Sequence, residues 1–142
     1  MSLAVWRTDP VISGITNCVG DLGTHIENYV SYLTGLKIHR LLATRDKYNQ
    51  PLELNANIIV EYDNGAHGAY WCSQIAEGRC NGFVVRVYGD KGALEWMQED
   101  PEVVRFTPKG EAMRLIHRGT PAIHEKAGAF ARIPSGHPEG LF

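Results

Sequence analysis

The sequence lacks a Gly-x-Gly-x-x-Gly motif after a strand, the pattern that cradles the pyrophosphate of a dinucleotide in Rossmann folds. It also lacks a β-α-β unit, and there is no room for one before residue 20. These 142 residues therefore cannot bind a dinucleotide in the Rossmann manner.

Long apolar runs, a surplus of one charge and paired cysteines are missing as well. No apolar stretch is long enough to cross a bilayer, and the first residues do not form a signal peptide. Because 14 basic residues face 16 acidic ones, for a net charge of −2, we expect neither nucleic acid nor a membrane as a partner. Three cysteines without metal-site spacing are typical of reduced thiols, so we predict a cytoplasmic protein without a metal.

The most informative stretch begins at Cys18 and contains Asp21 and His25, which lie four residues apart and share one face of a helix. Apolar residues then recur at three- and four-residue steps, and the stretch ends in a glycine, as helices often do: Ile26, Tyr29, Val30, Leu33 and Gly35. The pattern predicts a helix that opens with a polar pair and buries its other side. A nucleophilic role for Cys18 is not expected, because a nearby carboxylate raises the pKa of a thiol.

The pair alone leaves two interpretations open. Asp21 is either a helix cap with His25 on the first-turn surface, or the two side chains work together on a ligand. A metal site is less favoured, because His25 and Glu27 do not share a face and no second histidine cluster lies nearby.

The rest of the chain reads as short strands joined by tight turns, which pair antiparallel neighbours. Strands are predicted over 37–48, 54–62, 67–75, 83–88, 93–98, 102–106 and 113–117, with irregular structure over 4–19 and 119–142. We therefore predict one α+β domain over residues 1–142. It is a two-layer fold, with a predominantly antiparallel, open-faced sheet of six or more strands and a helix packed on one face.

A single helix covers one face of such a sheet, and the other face presents aromatic side chains. The candidates for this open face are Tyr62, Tyr70 or Trp71, and Trp96. A large exposed apolar face usually marks an interface in a soluble protein, so an oligomer interface is favoured here. The alternative is that these aromatic side chains are scattered and only half-buried.

Several blocks of sequence resemble, in order, the C-terminal domain of the Gfo/Idh/MocA family of NAD(P)-dependent sugar and polyol dehydrogenases. These blocks are Trp6-Arg-Thr-Asp-Pro10, Gly20-Asp-Leu-Gly-Thr-His25, Tyr32-Leu-Thr-Gly35, Tyr62-Asp-Asn-Gly-Ala66, Ser73-Gln74, Tyr88-Gly-Asp-Lys-Gly-Ala-Leu-Glu-Trp96, Glu99-Asp-Pro101 and Gly136-His-Pro-Glu-Gly140. They cover nearly the whole chain.

The resemblance implies a substrate-binding and oligomerisation domain whose parent enzyme transfers hydride between NAD(P) and a sugar, polyol or related hydroxy compound. NAD or NADP would bind to an N-terminal Rossmann domain that is absent here, and a C-terminal helix would follow Phe142. The isolated fragment is then expected to be inactive, without a cofactor of its own. The family also implies a homo-oligomer, a dimer or tetramer built through the open sheet face.

By the same resemblance, Asp21 and His25 are the catalytic pair. Histidine suits the removal of a hydroxyl proton because its ordinary pKa lies near neutrality, and a carboxylate one turn earlier can orient it. The residues expected to bind substrate are Trp6, Arg7, Asn17, Thr24 and His137. His137 has an alternative role in a helix start formed by the following Pro-Glu pair.

Two other functions compete with this one. The chain could be a non-catalytic oligomerisation or scaffold module in which Asp21 and His25 are structural. It could also be a metal-dependent hydrolase or isomerase that uses Asp21, His25 and His137.

Overall fold

The structure is a computed structural model that describes residues 5–137. The chain divides into two compact units, Met1–Glu77 and Gly78–Phe142. Within the described residues, seven strands pair antiparallel, three in a sheet of the first unit and four in a sheet of the second. The predicted α+β class is confirmed. The organisation of residues 1–142 as a single domain stays a prediction.

The first unit contains a helical segment followed by a three-stranded sheet of order β1-β2-β3. Its elements are a 3₁₀ turn Val5–Thr8, helix α1 Pro10–Ser13, a π-helical turn Val19–Gly23, helix α2 Thr24–Thr34, and strands β1 Ile38–Asp46, β2 Asn55–Tyr62 and β3 His67–Ser73. Helix α2 ends as predicted at Gly35, whose φ of 71° is a left-handed conformation that favours glycine.

The short helices before residue 19 correct the prediction of irregular structure there. The Asp9 carboxylate accepts a hydrogen bond of 2.9 Å from the Val11 N–H and so caps α1, whose first residue is Pro10. Proline at the first helical position costs no hydrogen bond, because that N–H has no partner inside a helix. The Asp-Pro pair was thus a helix-start signal within the sequence.

The core of the first unit lies between β2 and the helical segment. Alternate residues of β2 point inward, from Ala56 at 0% exposure to Tyr62 at 7%. Leu22, Ile26 and Val30 pack against them. The expectation that Tyr62 lies on the open face is wrong, because it follows the same two-residue period as Ala56 and belongs to the buried face.

The second unit is a four-stranded meander of order β4-β5-β6-β7. Its elements are β4 Val84–Gly89, β5 Gly92–Met97, β6 Asp100–Pro108, β7 Arg114–His117 and a short helix α3 Glu125–Gly128 in the tail that was predicted to be irregular. Trp96 is only partly exposed and packs edge-on against Phe83, at 6.1 Å between ring centroids. The helix start predicted at Pro138 and Glu139 lies outside the described residues.

The strands form two sheets, where the sequence suggested one sheet of six or more strands. The segment between β3 and β4 is not a tight turn. The Glu99 carboxylate holds part of it by accepting the N–H groups of Cys80, Asn81 and Gly82 at 2.9–3.0 Å. Across residues 5–137, no helix has the length and apolar character needed to span a membrane.

Candidate active site

The candidate site is built on the π-helical turn that precedes α2. Asp21 lies within this turn, and its N–H donates to the Asn17 carbonyl at 2.9 Å. A larger residue in place of Gly20 would force Thr16 to move, because a Cβ atom at that position would lie 2.6 Å from Cγ2 of Thr16. Single π turns in helices are frequent at functional sites, since they redirect a side chain from the regular helical position.

The Asp21 carboxylate is held from two sides. Its Oδ2 atom accepts a 2.7 Å hydrogen bond from Nη1 of Arg7 and a 3.1 Å hydrogen bond from Nε2 of Gln74. Its other oxygen, Oδ1, has no hydrogen-bond partner within the described part of the chain, and the side chain is 41% exposed. Asp21 therefore does not cap the helix, and one carboxylate oxygen is fixed while the other is available.

His25 follows one helical turn later, in the first turn of α2. Its side chain is exposed and forms no hydrogen bond or ion pair with any residue of the range 5–137. An accessible imidazole one turn from a fixed carboxylate can exchange a proton with a bound hydroxyl group. A histidine buried against the sheet could not do so.

Trp6 and Arg7 lie at the edge of this site. The Arg7 guanidinium lies over the indole ring of Trp6, with its Cζ 5.3 Å from the ring centroid, while Nη1 pairs with Asp21. Trp6 is 53% exposed, and its carbonyl accepts a 2.7 Å hydrogen bond from the Ser13 hydroxyl. The arginine thus links an exposed aromatic surface to the carboxylate.

The segment that carries the site is anchored by Glu53, which is 1% exposed. Its Oε1 atom accepts hydrogen bonds from the Thr16 hydroxyl and from the N–H groups of Asn17, at 2.9 Å, and Val19, at 3.1 Å. Burial alone would raise the pKa of Glu53, but these hydrogen bonds outweigh burial and hold the pKa below its ordinary value. A buried, ionised carboxylate therefore fixes the start of the helical segment.

The remaining predicted site residues differ in what their polar groups contact. Asn17 is 5% exposed, and its Nδ2 donates to Oε1 of Gln74 at 2.7 Å. The Thr24 hydroxyl donates to the Gly20 carbonyl at 2.8 Å, inside its own helix. His137 belongs to the second unit, where its carbonyl accepts a 3.0 Å hydrogen bond from Arg118. Substrate contacts by these residues stay predictions.

Sequence reasoning missed the roles of Gln74 and Glu53. Gln74 was singled out only as part of a resembling block, because nothing in the sequence links it to a turn 53 residues earlier. Glu53 carried a weak signal, an acidic residue between Leu52 and Leu54, which are both buried. An isolated charge inside an apolar run is typical of a satisfied buried carboxylate.

Cys18 is fully buried and does not act as an accessible nucleophile. A hydrogen bond with Cys72 and burial raise the pKa of its thiol. Within residues 5–137, no group of three or more histidine, cysteine, aspartate or glutamate side chains has an arrangement that could hold a metal ion.

The described residues do not fit a dinucleotide. All strand pairs in both sheets are antiparallel, so no β-α-β crossover places a helix N-terminus beside a glycine-rich turn.

Comparison with known proteins places this site in a family. Residues 2–95 match the family described as the GFO/IDH/MocA C-terminal domain. An uncharacterized oxidoreductase of Bacillus subtilis, YfiI, is 36% identical over 141 residues, which are 96% of this chain and 36% of that protein.

Solved structures give the same result. An inositol dehydrogenase homolog from Azotobacter vinelandii, complexed with NAD+, is 36% identical with a TM-score of 0.90, over 96% of this chain and 36% of its own. An oxidoreductase from Sinorhizobium meliloti is 43% identical with a TM-score of 0.82, over 87% of this chain and 37% of its own. The chain thus spans little more than a third of these relatives. The chain belongs to the Gfo/Idh/MocA family of oxidoreductases, as a C-terminal domain.

Proposed function

We propose that this chain is the substrate-binding part of an NAD(P)-dependent dehydrogenase that oxidises a hydroxyl group of a sugar, polyol or related compound. The observation that carries the proposal is a carboxylate fixed through one oxygen, at Asp21, one helical turn before the exposed His25. The Azotobacter vinelandii homolog, 36% identical to this chain, was solved in a complex with NADH and myo-inositol, which supports a polyol as substrate.

In this proposal His25 accepts the proton of the substrate hydroxyl. The Asp21 carboxylate stabilises the imidazolium as it forms, because a negative charge one helical turn away favours the positive charge that develops on His25. Oδ1 of Asp21 accepts a hydrogen bond from the substrate, since Oδ2 is already occupied by Arg7 and Gln74. The cofactor that accepts hydride, NAD or NADP, binds to another domain, so this chain alone is inactive.

The substrate pocket in this proposal is completed by the edge of the site. The exposed indole of Trp6 offers an apolar plane on which a sugar or polyol ring can stack. Arg7 and Thr24, which lie within or beside the helical segment, are further substrate contacts in this proposal. A cytoplasmic location is part of the proposal, in keeping with three unpaired cysteines.

The test is an assay of NAD(P)H formation over a panel of sugars and polyols, with the enzyme in which this chain is joined to its dinucleotide-binding domain. We expect His25→Ala to lower turnover by roughly 10²-fold or more while cofactor binding is retained. His39→Ala, which removes another exposed histidine of the first unit, is the matched control. Full turnover in the His25 variant would refute the catalytic assignment.

A second role, oligomerisation through the open sheet face, is favoured by the exposure of its apolar residues. Leu42, Ile59 and Trp71 are 71%, 59% and 61% exposed. Leu42 pairs with Ile59 across β1 and β2, so both project from the same side of the sheet. We propose that this face, defined by Leu42, Ile59 and Trp71, joins copies of the chain in a homo-oligomer.

A further inference from the structure

We propose that Gln74 is a positioning residue, which holds the Asp21 carboxylate in the orientation that the reaction requires. This inference rests on the proposed function for its consequence in catalysis, whereas its geometry is independent of that function. Asn17, Asp21 and Gln74 are joined by a closed ring of hydrogen bonds.

The ring has three links. The Asp21 N–H donates to the Asn17 carbonyl at 2.9 Å, Nε2 of Gln74 donates to Oδ2 of Asp21 at 3.1 Å, and Nδ2 of Asn17 donates to Oε1 of Gln74 at 2.7 Å. Gln74 therefore bridges one turn of the helical segment, from Asn17 to Asp21, with both ends of its amide.

The chemistry of the groups fixes the direction of each link. An ionised carboxylate can only accept hydrogen bonds, so the Gln74 atom that faces Asp21 must be its NH₂ group. The Gln74 oxygen then faces Asn17, which must present its own NH₂ group. Because Asn17 is 5% exposed, water has little access to replace its hydrogen bond with Gln74.

Gln74 reaches the turn from a rigid element. It directly follows β3, and its N–H donates to the Leu54 carbonyl at 2.9 Å, which ties its backbone to the sheet. Arg7 approaches the same oxygen of Asp21 from a 3₁₀ turn and is 42% exposed in its side chain. Arg7 thus supplies charge from the solvent side, whereas Gln74 connects the carboxylate to the sheet and leaves Oδ1 for the substrate.

The test measures the orientation of Asp21 directly. The chain of 15.8 kDa suits NMR, where three-bond couplings from Cγ of Asp21 to its backbone N and carbonyl C report the χ1 rotamer. We expect one dominant rotamer in the wild-type chain and averaged couplings in Gln74→Met, which keeps the length of the side chain but loses the amide. If Gln74→Met does not fold, Gln74→Glu replaces it in the measurement. Its ionised carboxylate cannot donate a hydrogen bond to Asp21, so we again expect averaged couplings.

Gln98→Met is the matched control, because it makes the same substitution at an exposed glutamine whose side chain has no hydrogen bond within the described residues. Its Asp21 couplings should equal those of the wild type. Wild-type couplings in both Gln74 variants would overturn the proposal, because Arg7 alone would then suffice to hold the carboxylate.

A second readout concerns the reaction in the complete enzyme. Gln74→Met should lower kcat for polyol oxidation by roughly 10-fold, because a misplaced catalytic group loses its alignment, with NADH binding unchanged. Unchanged kcat with a mobile Asp21 would overturn the catalytic consequence. If Asp21→Asn itself left turnover intact, the proposed function would fail, while the couplings would still decide whether Gln74 orients Asp21.

Discussion

Two carboxylates of the first unit, Glu53 and Asp21, are both held by hydrogen bonds to one oxygen, yet their surroundings differ. Glu53 is 1% exposed and accepts three hydrogen bonds from the turn at Thr16–Val19. Asp21 is 41% exposed, accepts two from side chains, and keeps its second oxygen available. The comparison indicates that Glu53 anchors the helical segment, whereas Asp21 is held in place with one oxygen accessible, which the proposed catalytic role requires.

The largest effect should come from removing the buried carboxylate. We expect Glu53→Ala to lower the free energy of unfolding by about 3–4 kcal/mol, because buried N–H and O–H groups lose their acceptor. Urea unfolding followed by circular dichroism measures this change. Glu99→Ala is the matched control, since Glu99 also accepts three backbone N–H groups but at exposed residues, where water can replace it.

If Glu53→Ala and Glu99→Ala lowered the free energy of unfolding equally, burial would not explain the contribution of Glu53.

Asp21→Asn should have a small effect on stability and a large effect on turnover. The Arg7 and Asp21 side chains are 42% and 41% exposed, so water screens their ion pair. Its loss should therefore lower the free energy of unfolding by less than about 1 kcal/mol. Turnover of the complete enzyme should nevertheless fall by roughly 10²-fold or more, as it loses the charge that supports His25. If Asp21→Asn were strongly destabilised but still active, Asp21 would be a stabilising residue like Glu53, and the distinction between the two carboxylates would fail.

The buried carboxylate of Glu53 also predicts that stability depends on pH. Folding lowers the pKa of Glu53 below its ordinary value of 4.5, so its stabilisation is complete above that pH and is lost as the pH falls through the lowered pKa. In Glu53→Gln the free energy of unfolding should therefore decline less steeply in acid than in the wild type. Urea titrations at a series of pH values below neutrality measure both slopes, and parallel curves would contradict the account.

The smallest effect on stability is expected at the open face of the first sheet. Ile59→Lys should change the free energy of unfolding by less than about 1 kcal/mol, because the side chain is already 59% exposed. It should nevertheless shift the chain to monomer in sedimentation velocity at micromolar concentration. Val11→Lys, at an apolar residue that is 92% exposed but outside the sheet, should leave the oligomer unchanged. A wild-type monomer would refute this interface.

Sequence periodicity was sufficient for the parts of the fold that depend on neighbouring residues. The spacing from Asp21 to Leu33 predicted helix α2, and the run of strand-forming residues over 54–62 predicted β2, although not which face holds Tyr62. Leu33 is an exception, since it belongs to the apolar stripe but is 50% exposed near the end of the helix.

The parts that sequence could not predict depend on contacts between distant residues. Glu53 meets its partners 34–37 positions away, and Gln74 meets Asp21 53 positions away, so no local pattern reports either contact. The π-helical turn was not predicted either, because the four-residue spacing of Asp21 and His25 fits an ordinary α-helical turn equally well. The loop that follows β3 is held in part by Glu99, which also lies 17–19 positions away from its partners.

The most direct test of the central claim is a crystal structure of the complete enzyme with a polyol such as myo-inositol bound. The account predicts that the reacting substrate hydroxyl lies within about 3.2 Å of the His25 imidazole, and that a neighbouring hydroxyl donates to Oδ1 of Asp21 at a similar distance, with Oδ2 still held by Arg7 and Gln74. A substrate bound away from His25, or one that displaces Gln74 from Oδ2, would contradict it.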